Sequence, residues 1–190
     1  MTKEERKEYM KNEFVKAFGG HFDFNTPLNA KVCGRVEGKF FDIENIIFES
    51  RPEVYVTANL YIPHGLKNKT PAVIKVCGHH YNAKHEDEYQ RVARMIARCG
   101  IIVLSIDPIG QGERAQYYEK SAGFEVVERN VYEHDYEGAQ CLINGNCLSK
   151  YFTHDIMRAV DYLCLREEVD SDKIGIVGNS GGGVQVSDAM

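Results

Sequence analysis

The chain has 190 residues, 43% hydrophobic and 27% charged, a globular composition that excludes a disordered or collagen-like polypeptide. Its formal charge of -5 argues against nucleic acid as a partner, because neutralising phosphates needs a basic face. No run approaches the roughly 18 apolar residues of a spanning helix, and the charged start MTKEERKEYMKNEF lacks the apolar stretch of a secretory signal, so the expectation is a cytoplasmic protein with no membrane partner.

Residues 1 to about 20 predict a helix, with Tyr9, Phe14, Val15 and Phe18 recurring among charges and Gly19-Gly20 stopping the pattern. A strand-like region runs from Cys33 to Phe48, and VYVTANLYIP (Val54 to Pro63) alternates as a strand. The polar turn HGLKNKT separates it from AVIKVCG (Ala72 to Gly78), an apolar run of buried-strand length. His85 to Cys99 places Tyr89, Val92, Ala93, Ile96 and Ala97 on one helical face, closed by Gly100. IIVLSID (Ile101 to Asp107) is continuously apolar, as a strand covered on both faces is. His154 to Leu165 has helical spacing, and Lys173 to Val177 predicts a further short strand.

Strands alternating with helices predict an α/β fold with a mainly parallel sheet flanked by helices. Residues 1–50 hold the leading helix and first strands of one domain. Residues 115–150 break the rhythm and are expected to form a lid-like insertion, the alternative being a solvated loop of no consequence.

The six cysteines (Cys33, Cys77, Cys99, Cys141, Cys147, Cys164) show neither zinc-ribbon nor disulfide-framework spacing, which predicts free thiols packed mostly as small hydrophobes. His79, His80 and His85 lie within seven residues, but nothing near them has metal-ligand spacing, so no metal is expected.

The sharpest motif is Gly178-Asn179-Ser180-Gly181-Gly182, directly after the apolar strand KIGIV. G-x-S-x-G between a strand and a helix is the pattern of a nucleophile elbow. The turn is so tight that the positions two before and two after the serine must be small. It holds the hydroxyl clear of the sheet and aims the next amide, that of Gly181, where an oxyanion would form. A glycine-rich phosphate turn is the alternative, but it does not need a central serine, and the lysine of a P-loop is missing. Ser180 is therefore the candidate nucleophile, with the backbone N–H groups of Gly181 and His79 as candidate oxyanion donors. His79 follows Cys77-Gly78 at the end of the buried strand. Asp107-Pro108-Ile109-Gly110-Gln111-Gly112-Glu113-Arg114 has no third glycine opening a helix, so it is not read as a dinucleotide site. Asp107 is expected to anchor that turn through backbone hydrogen bonds, and Arg114 to be exposed or ion-paired.

DPIGQGER, followed by FTHDIMRAVDYLCLREEVDSDKIGIVGNSGGG, resembles the α/β-hydrolase superfamily, within it the acetyl xylan esterase and dienelactone hydrolase-like group. The resemblance runs from about Val54 onward and is most specific between Asp155 and Gly183. It implies a carboxylic-ester hydrolase that works through an acyl-serine on Ser180, takes a small-molecule or carbohydrate ester, and needs no cofactor. It also implies an acid and then a histidine after the elbow. The chain ends ten residues past Ser180 with no histidine after it, so the expectation is the N-terminal part of such a domain, with little activity by itself. A sheet left open there would favour homo-oligomers through its edge. Two alternatives stand beside this: a serine peptidase of the prolyl oligopeptidase type, and a non-catalytic half-fold that serves as an interaction module.

Overall fold

The computed structural model describes residues 1–20 and 23–190. The first helix, α1 (Lys3–Ala17), starts at a capping box in which Thr2 Oγ1 accepts from the Glu5 amide at 3.2 Å and the Thr2 amide donates to Glu5 at 2.6 Å. It stops where Gly19 and Gly20 adopt positive φ, and it buries no residue.

Six strands form the central sheet: β1 (Lys31–Val36), β2 (Phe41–Arg51), β3 (Val54–Pro63), β4 (Thr70–Val76), β5 (Ile102–Ile106) and, last in the chain, β8 (Val169–Gly178). Their order is β1-β2-β3-β5-β4-β8. The expected single strand-like region from Cys33 to Phe48 is two strands, because Gly38 and its neighbours turn the chain back. β1, β2 and β3 meander antiparallel, and β3 also meets β5 antiparallel. The pairs β4–β5 and β4–β8 are parallel. Four strands, β2, β4, β5 and β8, therefore point the same way, giving a mainly parallel α/β sheet with helices on both faces.

Adjacent strand residues face opposite layers. On β5, Ile102 and Leu104 join a large cluster with Phe48, Val56, Leu60, Ile74, Ile156 and Leu163 beneath helix α4 (Leu148–Cys164). Between them Val103 points the other way, to Tyr61, Ala93 and Ala97 beneath helix α2 (Asp87–Arg98). Phe48 stacks on Tyr162 with ring centroids 5.8 Å apart. These apolar contacts fix the register on which the loops depend.

Element boundaries differ from expectation where polar residues are buried or strands begin in polar sequence. Helix α4 starts at Leu148 instead of His154, and its first turns bury Thr153, His154 and Asp155. β8 starts at Val169 because Thr70 on β4 pairs with it ahead of the apolar run. Residues 115–150 are not one loop: they hold a short hairpin, β6 (Tyr118–Glu119) and β7 (Phe124–Glu125), then helix α3 (Val131–Ile143) and the start of α4. Only Cys77 of the six cysteines is buried. Cys33 on the edge strand and Cys99 and Cys164 near helix ends are exposed, and Cys141 and Cys147 are intermediate. The expectation of mostly packed thiols fails because element ends and the sheet edge carry them.

Candidate active site

After β4 the chain leaves to one side to form β5 and later returns to the other side as β8, so the ends of these three parallel strands share one edge of the sheet. Ligands of such sheets settle where the strand order reverses, outside the carboxyl ends. Three loops meet there: residues 77–81 after β4, residues 107–114 after β5, and the turn after β8.

That last turn is tight. β8 ends at Gly178, helix α5 (Gly181–Ala189) begins at Gly181, and Ser180 between them has φ 55 and ψ -123. A non-glycine residue in that region is strained and persists only when its surroundings impose it. Here packing imposes it. A Cβ on Gly178 would lie 2.3 Å from the Gly182 carbonyl oxygen, and one on Gly182 would lie 2.7 Å from the Val76 carbonyl oxygen. Both positions must be glycine, as the spacing predicts. Ser180 is exposed.

Val76 pairs with Gly178 across β4 and β8, which brings the loop after β4 against the turn. A Cβ on Gly78 would be 2.5 Å from the Asn179 carbonyl oxygen and 3.3 Å from Ser180 Cβ. Across the turn, the His79 ring stands over Gly181, with Nδ1 only 2.8 Å from where a Cβ would sit. Among the described residues, neither the His79 nor the Gly181 amide takes part in the turn, cap and loop hydrogen bonds. The three residues singled out from sequence, Ser180, Gly181 and His79, are thus brought together.

The loop after β4 is held by residues that the sequence did not single out. Gln111 is 1% exposed, and its Nε2 donates to the carbonyls of Gly78 at 2.9 Å and His80 at 3.0 Å. From below, Gln185 of α5 donates to the Cys77 carbonyl at 3.3 Å. Lys75 Nζ lies 4.0 Å over the Tyr89 ring and 3.6 Å from Cys77 Sγ. Burial pushes the Lys75 amine down and the Cys77 thiol up, which favours the neutral form of each and makes Cys77 a poor nucleophile.

Asp107 anchors the loop after β5, and does so more fully than expected. It accepts from Thr57 Oγ1 at 2.7 Å, from the Lys84 and Glu113 amides at 3.0 and 3.3 Å, and from the buried Lys84 ammonium. Arg114 is buried, and it donates to the Asp107 carbonyl at 3.0 Å and to Asp155 of α4 at 2.8 Å. Of the other histidines considered, His80 sits 3.0 Å from Glu86 and His85 3.5 Å from Glu113.

Segment 115–150 packs against the loop after β4. Tyr81 donates to Glu125 at 3.0 Å, and Arg129 stacks on the Tyr81 ring at 4.5 Å. Helix α3 supplies His134, whose ring lies 3.0 Å from His79 Nε2. Beside it opens a cavity of about 310 Å³, whose walls include His79, His134, Leu142, Phe152, Gly181 and Asp188. Burial holds the Asp188 carboxyl above its ordinary range. Among the described residues no helix is long and apolar enough to cross a membrane.

Comparisons with known proteins agree with this geometry. The family model "Acetyl xylan esterase (AXE1)" matches residues 23–189. An uncharacterized protein of Pseudomonas aeruginosa, PA2218, is 29% identical over 170 residues, which cover 89% of this chain and 36% of that protein. A crystal structure from Bacteroides fragilis, provisionally assigned as an acetyl xylan esterase, superimposes with a TM-score of 0.77 at 15% identity over 98% of this chain and 50% of that one. The acetyl xylan esterase of Paenibacillus sp. R4 superimposes with a TM-score of 0.64 at 22% identity, over 96% and 54%. At these identities the structures establish the α/β-hydrolase-type fold. The chain spans about half the length of both and about a third of the Pseudomonas protein.

Proposed function

The chain belongs to the acetyl xylan esterase (AXE1) family, and on that premise we propose that it carries the nucleophile and the oxyanion loop of a carboxylic-ester hydrolase. Ser180 Oγ attacks the ester carbonyl, the alcohol departs, and water releases the acyl group from the serine. The oxyanion of each tetrahedral intermediate rests on the amides of Gly181 and His79. One such donor is worth about 10²–10³ in turnover. The N-terminus of α5 adds a field that favours the same negative charge. The substrate is a small or carbohydrate ester, acetylated sugar first among them, and segment 115–150 forms a wall over it.

The observation that carries this reading is the backbone of Ser180, held at φ 55 between β8 and α5 by glycines that admit no side chain. A serine hydroxyl needs a base, and among the described residues no histidine donates to or accepts from Ser180. The family resemblance implies an acid and then a histidine later in chain order than the nucleophile. The test is hydrolysis of p-nitrophenyl acetate and of acetylated xylan by the full polypeptide that carries residues 1–190, beside its Ser180→Ala variant. Turnover falling at least about 10³-fold in the variant supports the reading. Equal rates refute it.

A further inference from the structure

His79 and His134 form a pair that proposed ester chemistry at Ser180 does not require. His134 Nε2 lies 2.6 Å from the Ile109 carbonyl oxygen, which can only accept, so that nitrogen carries a proton. Burial lowers the His134 pKa and keeps the ring neutral, so Nδ1 is bare. His79 Nε2, 3.0 Å from that bare nitrogen, must then be the donor. In the Nε2–H tautomer the lone pair lies on His79 Nδ1, and this is the nitrogen that stands over Gly181 at the elbow. Among the described residues nothing donates to it, Ser180 included. The Phe152 ring, 5.1 Å from that of His134, holds the pair in place from the cavity side.

We propose that His134 locks His79 in the Nε2–H tautomer, so that His79 Nδ1 accepts a hydrogen bond from a substrate hydroxyl next to the scissile ester, selecting esters of polyols. His134 is the positioning residue and His79 the specificity residue. The two ends of His79 then have separate tasks: its amide faces the developing oxyanion and its ring reads the alcohol part. An acceptor aimed at the site disfavours simple alkyl or aryl esters only by the hydrogen bond they fail to make, about three- to tenfold. The substrate half of this proposal rests on the esterase reading; the tautomer half does not.

The tautomer is read directly by long-range ¹H–¹⁵N NMR of the histidine rings in the full polypeptide, assigned with His79→Gln. The expected result is His79 with Nε2 protonated and Nδ1 bare. His134→Phe keeps the packing but offers no acceptor, and should release the tautomer. His134→Gln, whose amide can donate to Ile109 and accept from His79, should restore it. Adding an acetylated methyl xyloside to the Ser180→Ala protein should shift His79 Nδ1, while ethyl acetate should not. In the active protein, His134→Phe should raise KM for the acetylated xyloside about three- to tenfold, and His134→Gln should bring it back toward the parent value. An Nδ1-protonated His79, or no response of Nδ1 to the xyloside, overturns the proposal even if Ser180 proves to be the nucleophile. The expected tautomer without Ser180-dependent hydrolysis would instead sink the esterase reading and leave the tautomer half standing.

Discussion

Adding one methyl group at Gly178 and the same group at Gly138 should have opposite effects, and the difference measures how tightly the elbow is packed. At Gly178 a Cβ meets the Gly182 carbonyl oxygen at 2.3 Å, its carbon at 2.4 Å and Val76 Cγ2 at 2.7 Å. Two of these atoms are backbone and cannot rotate away, so β8 and α5 must part by most of an ångström. Overpacking of this kind costs about 1–3 kcal/mol, which in a chain of this size lowers Tm by about 2–12 °C. Gly138 lies inside α3 with open space where its Cβ would go, so alanine there gains helix propensity, about 1 kcal/mol, and raises Tm by about 2–4 °C. Thermal unfolding of the two variants followed by circular dichroism decides the matter. A Gly178→Ala protein as stable as the parent would show that the turn is looser than described and that Ser180 is not held in its strained conformation by packing.

Other consequences follow from buried charges and from the loop straps. Burial and the neighbouring Glu133 push the Glu137 carboxyl up to about 7. The folded state therefore holds a proton that the unfolded chain loses near its ordinary value, and stability falls as pH rises from about 4.5 to 7. Glu137→Gln should remove that loss, gaining about 1–2 kcal/mol at pH 8 and nothing at pH 4.5 by urea unfolding, once partial exposure is allowed for. Lys84→Met leaves Asp107 buried opposite an apolar chain and should cost about 3–5 kcal/mol, a loss that chemical denaturation would register and that an unchanged midpoint would contradict. Gln111→Leu removes both straps on the loop after β4. It should cost about 1–3 kcal/mol and speed hydrogen exchange at residues 78–81, whereas unchanged exchange would mean that the loop is held by other contacts.

Much of the fold is legible in the sequence where the controlling physics is local. The buried strands Ala72–Val76 and Ile102–Ile106 read as apolar runs because both of their faces are covered. The elbow reads as G-x-S-x-G because the sterics act between residues four apart. What escapes is long-range or polar. Lys84 and Asp107 are 23 residues apart, Arg114 and Asp155 are 41 apart, and each of these side chains alone looks like a surface residue. Buried Glu133 breaks the apolar periodicity of α3, which hides that helix. His79 and His134 are 55 positions apart, and no spacing rule joins them. Gln111 did leave a trace: a long polar side chain set between two glycines of positive φ, Gly110 and Gly112, is placed to reach inward across a tight loop. The antiparallel start of the sheet left none, because the pattern of β1 and β2 does not encode strand direction.

The assignment of Ser180 as the nucleophile is tested most directly by a fluorophosphonate probe, which forms a covalent bond only with an activated serine. The full polypeptide that carries residues 1–190 is treated with the probe, digested and examined by mass spectrometry. One adduct on the peptide that contains Ser180, absent from the Ser180→Ala protein, is the predicted result. Ester hydrolysis by a protein that takes up no probe at Ser180, or takes it up at another serine, would contradict the account.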